Sequence, residues 1–415
     1  MEIHPKARRW LLEAVFVILF SAFTVEAQDK LTILSPHWEG VKTEFGRAFE
    51  DWYPTKTGRS VVLDWRDIGG TTDDLRFILS EFQQTPSSIG IDLFFGGGMD
   101  PYVELEQLGL LHAYRPPISV MDGIPPEIAG LPLYDPKGFW YGAALSSFGI
   151  LENKRVVQLM KLPVATTWQD LAQPKLKGWV GSGDPRHSGA SHMIYESILQ
   201  AYGWKNGWKV IQGIGANVRQ FDRSGSTPAK TCSLGNVAYS IVVDFYGFTQ
   251  VAEVGTENMR FTIPSGEAVL NPDSIAILKG APHQEVAERF MDFVLSDEGQ
   301  SLWLAPRGHP RGAQKFTIER MSIRPKLYEE LASVTHVKIN PFRDLKPIPY
   351  HSTLGTLRWS PLNALIGAFV IDRSPEERGI AKIPVNEEEL NQIARTDWKD
   401  PVRRNRIQLN WQQAR

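Results

Sequence analysis

The pattern of apolar and polar positions sets out a regular alternation of elements. Leu31 to Leu34 is a short apolar run that predicts a buried strand, and Ser35-Pro36-His37-Trp38-Glu39-Gly40 forms a turn after it. Val41, Phe45, Ala48, Phe49 and Trp52 then recur at helical spacing, stopped by Pro54 and Gly58. Ser60 to Trp65 alternates as a strand does. Gly69-Gly70 breaks it, and Thr71 with Asp74 reads as the cap of a helix whose buried face is Leu75, Ile78, Leu79 and Phe82. Ile91 to Phe95 predicts a third strand ending in Gly96-Gly97-Gly98, followed by a helix from about Pro101 to Leu108, closed by Gly109. Such alternation predicts an α/β fold with a mostly parallel sheet flanked by helices. Ligands in such sheets sit beyond the carboxyl ends of the strands. Those ends here are Pro36-His37-Trp38, Asp67 to Thr72, and Gly96-Gly97-Gly98.

Proline and glycine crowd residues 115 to 138, a surface connection. Phe139 to Leu151 predicts a long apolar strand. A second set of turns between strand and helix appears at Gly181 to Ser191 and at Asp222 to Pro228. Asn236 to Phe245 reads as a strand, and Phe261 to Ile277 as extended chain interrupted by Pro264 and Pro272. His283 to Leu295 is an amphipathic helix through Val286, Ala287, Phe290, Phe293 and Val294. The last hundred residues mix proline-rich loops with helices, the best defined at Glu387 to Ile393 and Pro401 to Trp411. No internal repeat is present.

The first 27 residues change the compartment. Lys6, Arg8 and Arg9 precede a 12-residue uncharged run from Ala14 to Val25, and Val25-Glu26-Ala27 offers small residues at the positions a signal peptidase reads. The run is shorter than the roughly 20 residues that cross a bilayer. An export signal over 1–27, cleaved near Ala27, predicts a periplasmic mature chain starting near Gln28. The remainder is long enough for two domains. A net charge of −2 argues against a nucleic-acid surface. Cys232 is the only cysteine, so no intrachain disulfide or four-cysteine zinc site forms, and stability rests on packing that 13 tryptophans and 20 phenylalanines supply.

Enzyme signatures fail. Gly189-Ala190-Ser191-His192 approaches a nucleophile elbow, but Met193 occupies its last position. Phosphate-binding loop and zinc-protease motifs are missing, and Gly213-Ile214-Gly215 meets Val218 where a dinucleotide fingerprint needs glycine. A secreted hydrolase and a ligand sensor remain as alternatives.

Ile91-Asp92-Leu93-Phe94-Phe95-Gly96-Gly97-Gly98, with Leu105, Leu108-Gly109-Leu110-Leu111, resembles the extracellular solute-binding proteins of ABC importers, in particular the ferric-iron-binding branch. Ser147-Phe148-Gly149-Ile150-Leu151-Glu152-Asn153-Lys154, Trp168 with Asp170-Leu171, and Ile275 to Pro282 are similar to the same family, in the same order. The resemblance implies a two-lobed type II periplasmic-binding-protein fold, joined by two crossing strands. Lobe one would be 28–143 plus 262–415, including a C-terminal helical extension, and lobe two 144–261. It implies a monomer without cofactor or catalysis, a small-molecule ligand in the cleft, and a membrane permease as partner.

The candidate ligand residues lie at the turns. His37 and Trp38 stand at a helix start, with Glu39 beside them. Gly97 and Gly98 let backbone N–H groups approach a ligand. Ser147 opens the first crossing. Ser188, Gly189 and Ser191 begin a helix and suit an anion, or serve as a plain cap. Arg186 beside them offers countercharge. Ser224, Ser226 and Thr227 form a similar turn. Asp244 would meet a cationic group on the ligand. The resemblance implies two adjacent tyrosines as iron ligands near here, but this chain has Phe245-Tyr246. One phenolate is lost, leaving His37, Glu39 and Tyr246 as a partial ferric set. The hydroxyls and N–H groups suit an oxyanion such as an organic phosphate, phosphonate or carboxylate. Ferric chelates, polyamines and thiamine remain alternatives.

Overall fold

The computed structural model describes residues 28–414, and the predicted export signal lies outside the described residues. The predicted alternation forms as β1 (Asp29–Leu34), α1 (Glu39–Thr57), β2 (Val61–Arg66), α2 (Thr71–Gln84), β3 (Leu93–Phe95) and α3 (Met99–Gln107). Strand β1 lies between β2 and β3 and runs parallel to both. The α2 cap is one residue earlier than expected: Gly70 precedes the helix, and the Asp73 carboxylate accepts its N–H.

The next strand, β4 (Tyr141–Asn153), is buried along all 13 residues, which is why it reads as unbroken apolar and small residues rather than an alternating pattern. It is followed by β5 (Val180–Gly183), α4 (Gly189–Asn217, broken at Gly203), β6 (Val218–Asp222), α5 (Thr227–Ser233), β7 (Tyr239–Val243), α6 (Asp244–Val254), β8 (Met259–Thr262) and β9 (Leu270–Leu278). Strand β9 pairs antiparallel with the first half of β4, Tyr141 to Ser147. The second half, Phe148 to Asn153, pairs antiparallel with β7 and β8. The sheet therefore runs β2-β1-β3-β9-β4-β7-β5-β6. β4 belongs to both ends of it.

Each end has its own core. The first gathers Phe45, Phe95, Phe290, Phe293 and Trp303, with Phe45 and Trp303 ring centroids 4.3 Å apart. The helices Gln284–Leu295 (α7) and Asp297–Leu304 (α8) supply much of it. The second is built on Trp168, Ile194, Ile198, Tyr239 and Ile241.

The tail divides its packing, although the sequence reading attached it to lobe one. Trp359, Leu362, Ile366, Phe369 and Trp411 are buried in the second core. The helix α9 (Ser352–Ile366) and the following turn to Ile371 form the one described stretch long and apolar enough to cross a membrane, and 67% of it is buried inside the protein. Toward the first half of the sheet, the Tyr350 and Thr356 hydroxyls donate to Asp100 of α3, and Trp359 Nε1 donates to Thr72 Oγ1 of α2 at 3.3 Å. Toward the second, Arg358 grips Glu196 with two bonds of 2.8 and 2.7 Å, both side chains fully buried. The tail thus bridges both halves.

Breaking that ion pair strands a buried carboxylate. Arg358→Ala is expected to cost about 3–5 kcal/mol in chemical denaturation, with Glu196→Leu/Arg358→Met recovering most of it. A loss below about 1 kcal/mol for the single variant would contradict the pairing.

Candidate functional site

Six helices, α1 to α6, begin at one place. Their cap residues Trp38, Gly70, Gly98, Ser188, Ser226 and Val243 all line a cavity of about 430 Å³. Strands from both ends of the sheet deliver the chain to this point, so the helices that follow start here. The first N–H groups of a helix lack intrahelical acceptors and carry positive potential. No side chain caps α1 or α5. The Ser188 hydroxyl accepts the Ser191 N–H, a plain cap, and Asn271 Oδ1 accepts the Met99 N–H at 3.4 Å.

The cavity wall brings together His37, Trp38, Gly97, Gly98, Ser188, Gly189, Ser224, Ser226 and Tyr246. The other sequence candidates lie elsewhere. Asp244 is fully buried and accepts the Ser147 and Phe245 N–H groups at 2.9 and 2.8 Å, so it seals its own helix start rather than meeting a ligand. Burial pushes its carboxyl up to about 7, opposed by the Ser147 N–H. The Ser147 hydroxyl donates inward to the Val269 carbonyl; its neighbour Ser146 lines the cavity instead. Side chains alternate across a strand, which turns Ser147 inward and Ser146 to the cavity. Ser191 packs beneath the cap, and Thr227 lies behind Ser226 off the wall. Arg186 is spent on Asp184 and Asp372. Glu39 is exposed, off the wall, and accepts the Thr43 hydroxyl.

Ser146, Asp73, Asn271, Asp273, Arg223 and Arg320 also stand at the wall, and all but Arg223 carry no mark in the local sequence pattern. Arg320 lies 283 positions from His37, in the loop before the tail, and no local pattern marks it. Its Nη1 is 2.5 Å from Asp273 and 3.0 Å from His37 Nε2, and its Nη2 donates to Ser146 Oγ at 2.9 Å. The guanidinium lies 4.0 Å from the Phe245 ring centroid and 4.9 Å from that of Trp303. Asp273 and Asn271 come from β9. Burial alone would push Asp273 up, but Arg320 and His37 outweigh it and hold the carboxyl below its ordinary range. Burial lowers His37, although Asp273 pulls the other way. Arg223 is exposed in the turn before Ser224, and its side chain has no hydrogen bond or ion pair among the described residues. Its place in a strand-to-helix turn was the available signal.

Tyr246 is a poor phenolate. Burial pushes its hydroxyl up to about 12, although Arg320 pulls the other way. Among the described residues, no group of three histidine, cysteine, aspartate or glutamate side chains is placed to hold a metal. His37, Glu39 and Tyr246 are not brought together as a ligand set.

The two halves of the wall touch. A methyl group added at Gly70 would fall 2.0 Å from the His187 carbonyl oxygen, and one at Gly189 would fall 2.9 Å from Thr71 Cβ. Gly97 has φ of +86°, and a methyl there would strike Thr71 at 2.3 Å. These glycines serve close approach between elements. Gly70→Ala is therefore expected to hold the halves apart and weaken ligand binding by about 1–3 kcal/mol, the cost of overpacking. Titration calorimetry checks this; unchanged affinity would show that the contact does not belong to the ligand-bound form.

Residues 89–317 match the sequence profile of the bacterial extracellular solute-binding proteins. The chain is 28% identical over 217 residues to an uncharacterized protein of Haemophilus influenzae, covering 51% of this chain and 60% of that one. It is 29% identical over 195 residues to the phosphoglycerate transport regulatory protein PgtC of Salmonella typhimurium, covering 44% and 47%. The chain thus spans about half the length of these curated relatives. Among solved structures, the periplasmic binding protein AfuA of Actinobacillus pleuropneumoniae, with fructose-6-phosphate bound, superposes with a TM-score of 0.67 at 19% identity, covering 84% of this chain and 100% of that one. Iron-bound HitA of Pseudomonas aeruginosa gives 0.63 at 19% identity, covering 82% and 99%. The architecture is the two-lobed type II periplasmic-binding-protein fold, and the chain belongs to the bacterial extracellular solute-binding protein family.

Proposed function

We propose that the protein captures a small organic phosphate ester between its lobes in the periplasm and delivers it to the permease of an ABC importer. The observation that carries this reading is the convergence of helix starts from both lobes on a cavity that also holds Arg320 and the unpartnered Arg223. Fixed N–H dipoles and guanidinium groups in a cleft that sheds water favour a multivalent oxyanion. The names of PgtC and of the AfuA complex point to the same chemistry. Binding without catalysis fits a family of binding proteins.

Lobe one is proposed as 28–143 with the chain after 262, and lobe two as 144–261, with the tail from Tyr350 lying across both. Closure between them holds the ligand. The working form is a monomer that needs no cofactor, exported by cleavage near Ala27. The ligand contacts proposed are His37, Trp38, Gly97, Gly98, Ser188, Gly189, Ser224, Ser226 and Tyr246, with Arg223 and Arg320 added.

A thermal-shift screen of 3-phosphoglycerate, fructose-6-phosphate, phosphonates, ferric citrate, polyamines and thiamine tests the reading. A phosphate ester at 100 times its dissociation constant is expected to stabilise the protein by about 2.7 kcal/mol. Arg223→Ala is expected to weaken its binding by about 1.5–3 kcal/mol, the loss of one charge-assisted contact. Stabilisation by ferric citrate or a polyamine, with none from any phosphate ester, would overturn it.

A further inference from the structure

HitA, which shares this fold, is iron-bound, and a ferric ion calls for hard donors such as carboxylates and phenolates. In this chain the acid and imidazole beside Tyr246 are already taken by a cation, and the other acids on the wall, Asp67 and Asp73, pair with Lys42 and Arg76. Asp273 and His37 both face Arg320 Nη1, at 2.5 and 3.0 Å. The remaining members of the partial ferric set do not join them, since Glu39 is off the wall and Tyr246 is held as a phenol. The residues present do not fit a ferric ion.

We infer that Arg320 determines the specificity of the cleft: its guanidinium takes the acid and imidazole that a metal would need, and offers a fixed positive charge to an anionic ligand instead. The second half of this inference rests on the phosphate-ester reading above. An arginine does not deprotonate in proteins, so the charge is present at every physiological pH. A ferric ion brought to His37 Nε2 would have to displace the guanidinium from both Asp273 and His37, which it contacts at 2.5 and 3.0 Å. The guanidinium is also underused by its neighbours. Asp273, His37 and Ser146 engage its two terminal nitrogens, while Nε is buried with no hydrogen-bond partner. A buried donor left unpaired calls for an explanation, and this one belongs to a residue on the cavity wall.

The same geometry accounts for Phe245. At the position where the family resemblance leads one to expect a tyrosine, a phenyl ring lies 4.0 Å from the guanidinium carbon. Together with Trp303 on its own side at 4.9 Å, it holds the guanidinium plane by cation–π contact. A phenylalanine at 245 and an arginine at 320 are thus two parts of one substitution of guanidinium for metal.

The test uses the mature full-length chain. Arg320→Gln/Asp273→Asn removes both buried charges together, so neither is stranded; circular dichroism and thermal melting check its fold. Calorimetry with 3-phosphoglycerate and fructose-6-phosphate is expected to show affinity about 10- to 100-fold below wild type. If that variant does not fold, Arg320→Lys keeps a charge for Asp273 while losing the planar fork, and is expected to bind about tenfold more weakly. Binding unchanged in the folded variant overturns the ligand half. In a separate arm, ferric citrate is titrated while visible absorbance is followed. Arg320→Gln/Phe245→Tyr is expected to gain a tyrosinate-to-iron charge-transfer band that wild type lacks. A band in wild type, or none in the variant, overturns the metal half. If wild type binds no phosphate ester, the functional reading fails, and the iron arm still decides whether Arg320 excludes metal.

Discussion

Strand β4 is the constraint on which the rest of the molecule depends. Its 13 residues are buried throughout and hydrogen-bond to one lobe's sheet along their first half and to the other's along their second. Two mixed half-sheets joined through one strand place their helix starts on a common wall. The cavity lies beside the changeover, where Ser146 and Phe148 face it and Ser147 turns away. The site follows from topology before any particular side chain is considered.

The chemistry of the wall is less economical than its geometry. Burying Arg320, Asp273 and His37 together costs desolvation that their mutual attraction only partly returns. Apolar residues of similar volume would stabilise the first core at least as well, and Trp303 and Phe245 already surround the group with rings. A charged cluster kept in such surroundings is best explained by what it does to a ligand. The tail adds a second cost of the same kind at Arg358 and Glu196, and there the return is mechanical, because the strap it anchors also reaches Asp100 and Thr72 in the other lobe.

Much of the fold was legible because its signals are local. Apolar runs ending in His37-Trp38, Gly69-Gly70, Gly96-Gly97-Gly98 and Ser224-Gly225-Ser226 mark strands feeding helices, and these turns line the cavity. The local pattern is silent where a side chain's partner is distant in sequence. Asp244 accepts the Ser147 N–H across 97 positions and the Ser147 hydroxyl donates to the Val269 carbonyl across 122, so both looked available in the sequence. Arg186 finds Asp372 in the tail. Arg320 sits in a loop whose pattern announces nothing, and its value comes from His37, Ser146 and Asp273 meeting it in space. The tail helix was hard to place because it is buried on several sides and so shows no single apolar stripe.

The central claim is that the cleft recognises an oxyanion through fixed positive charge and converging N–H groups. Calorimetric titration of the wild-type protein with fructose-6-phosphate and with fructose, at low and at physiological salt, tests it most directly. The account predicts binding of the phosphate ester alone, with affinity that weakens only modestly as salt rises, because a closed cleft is poorly screened. Comparable binding of the unphosphorylated sugar, or of neither while ferric citrate binds tightly, would contradict it.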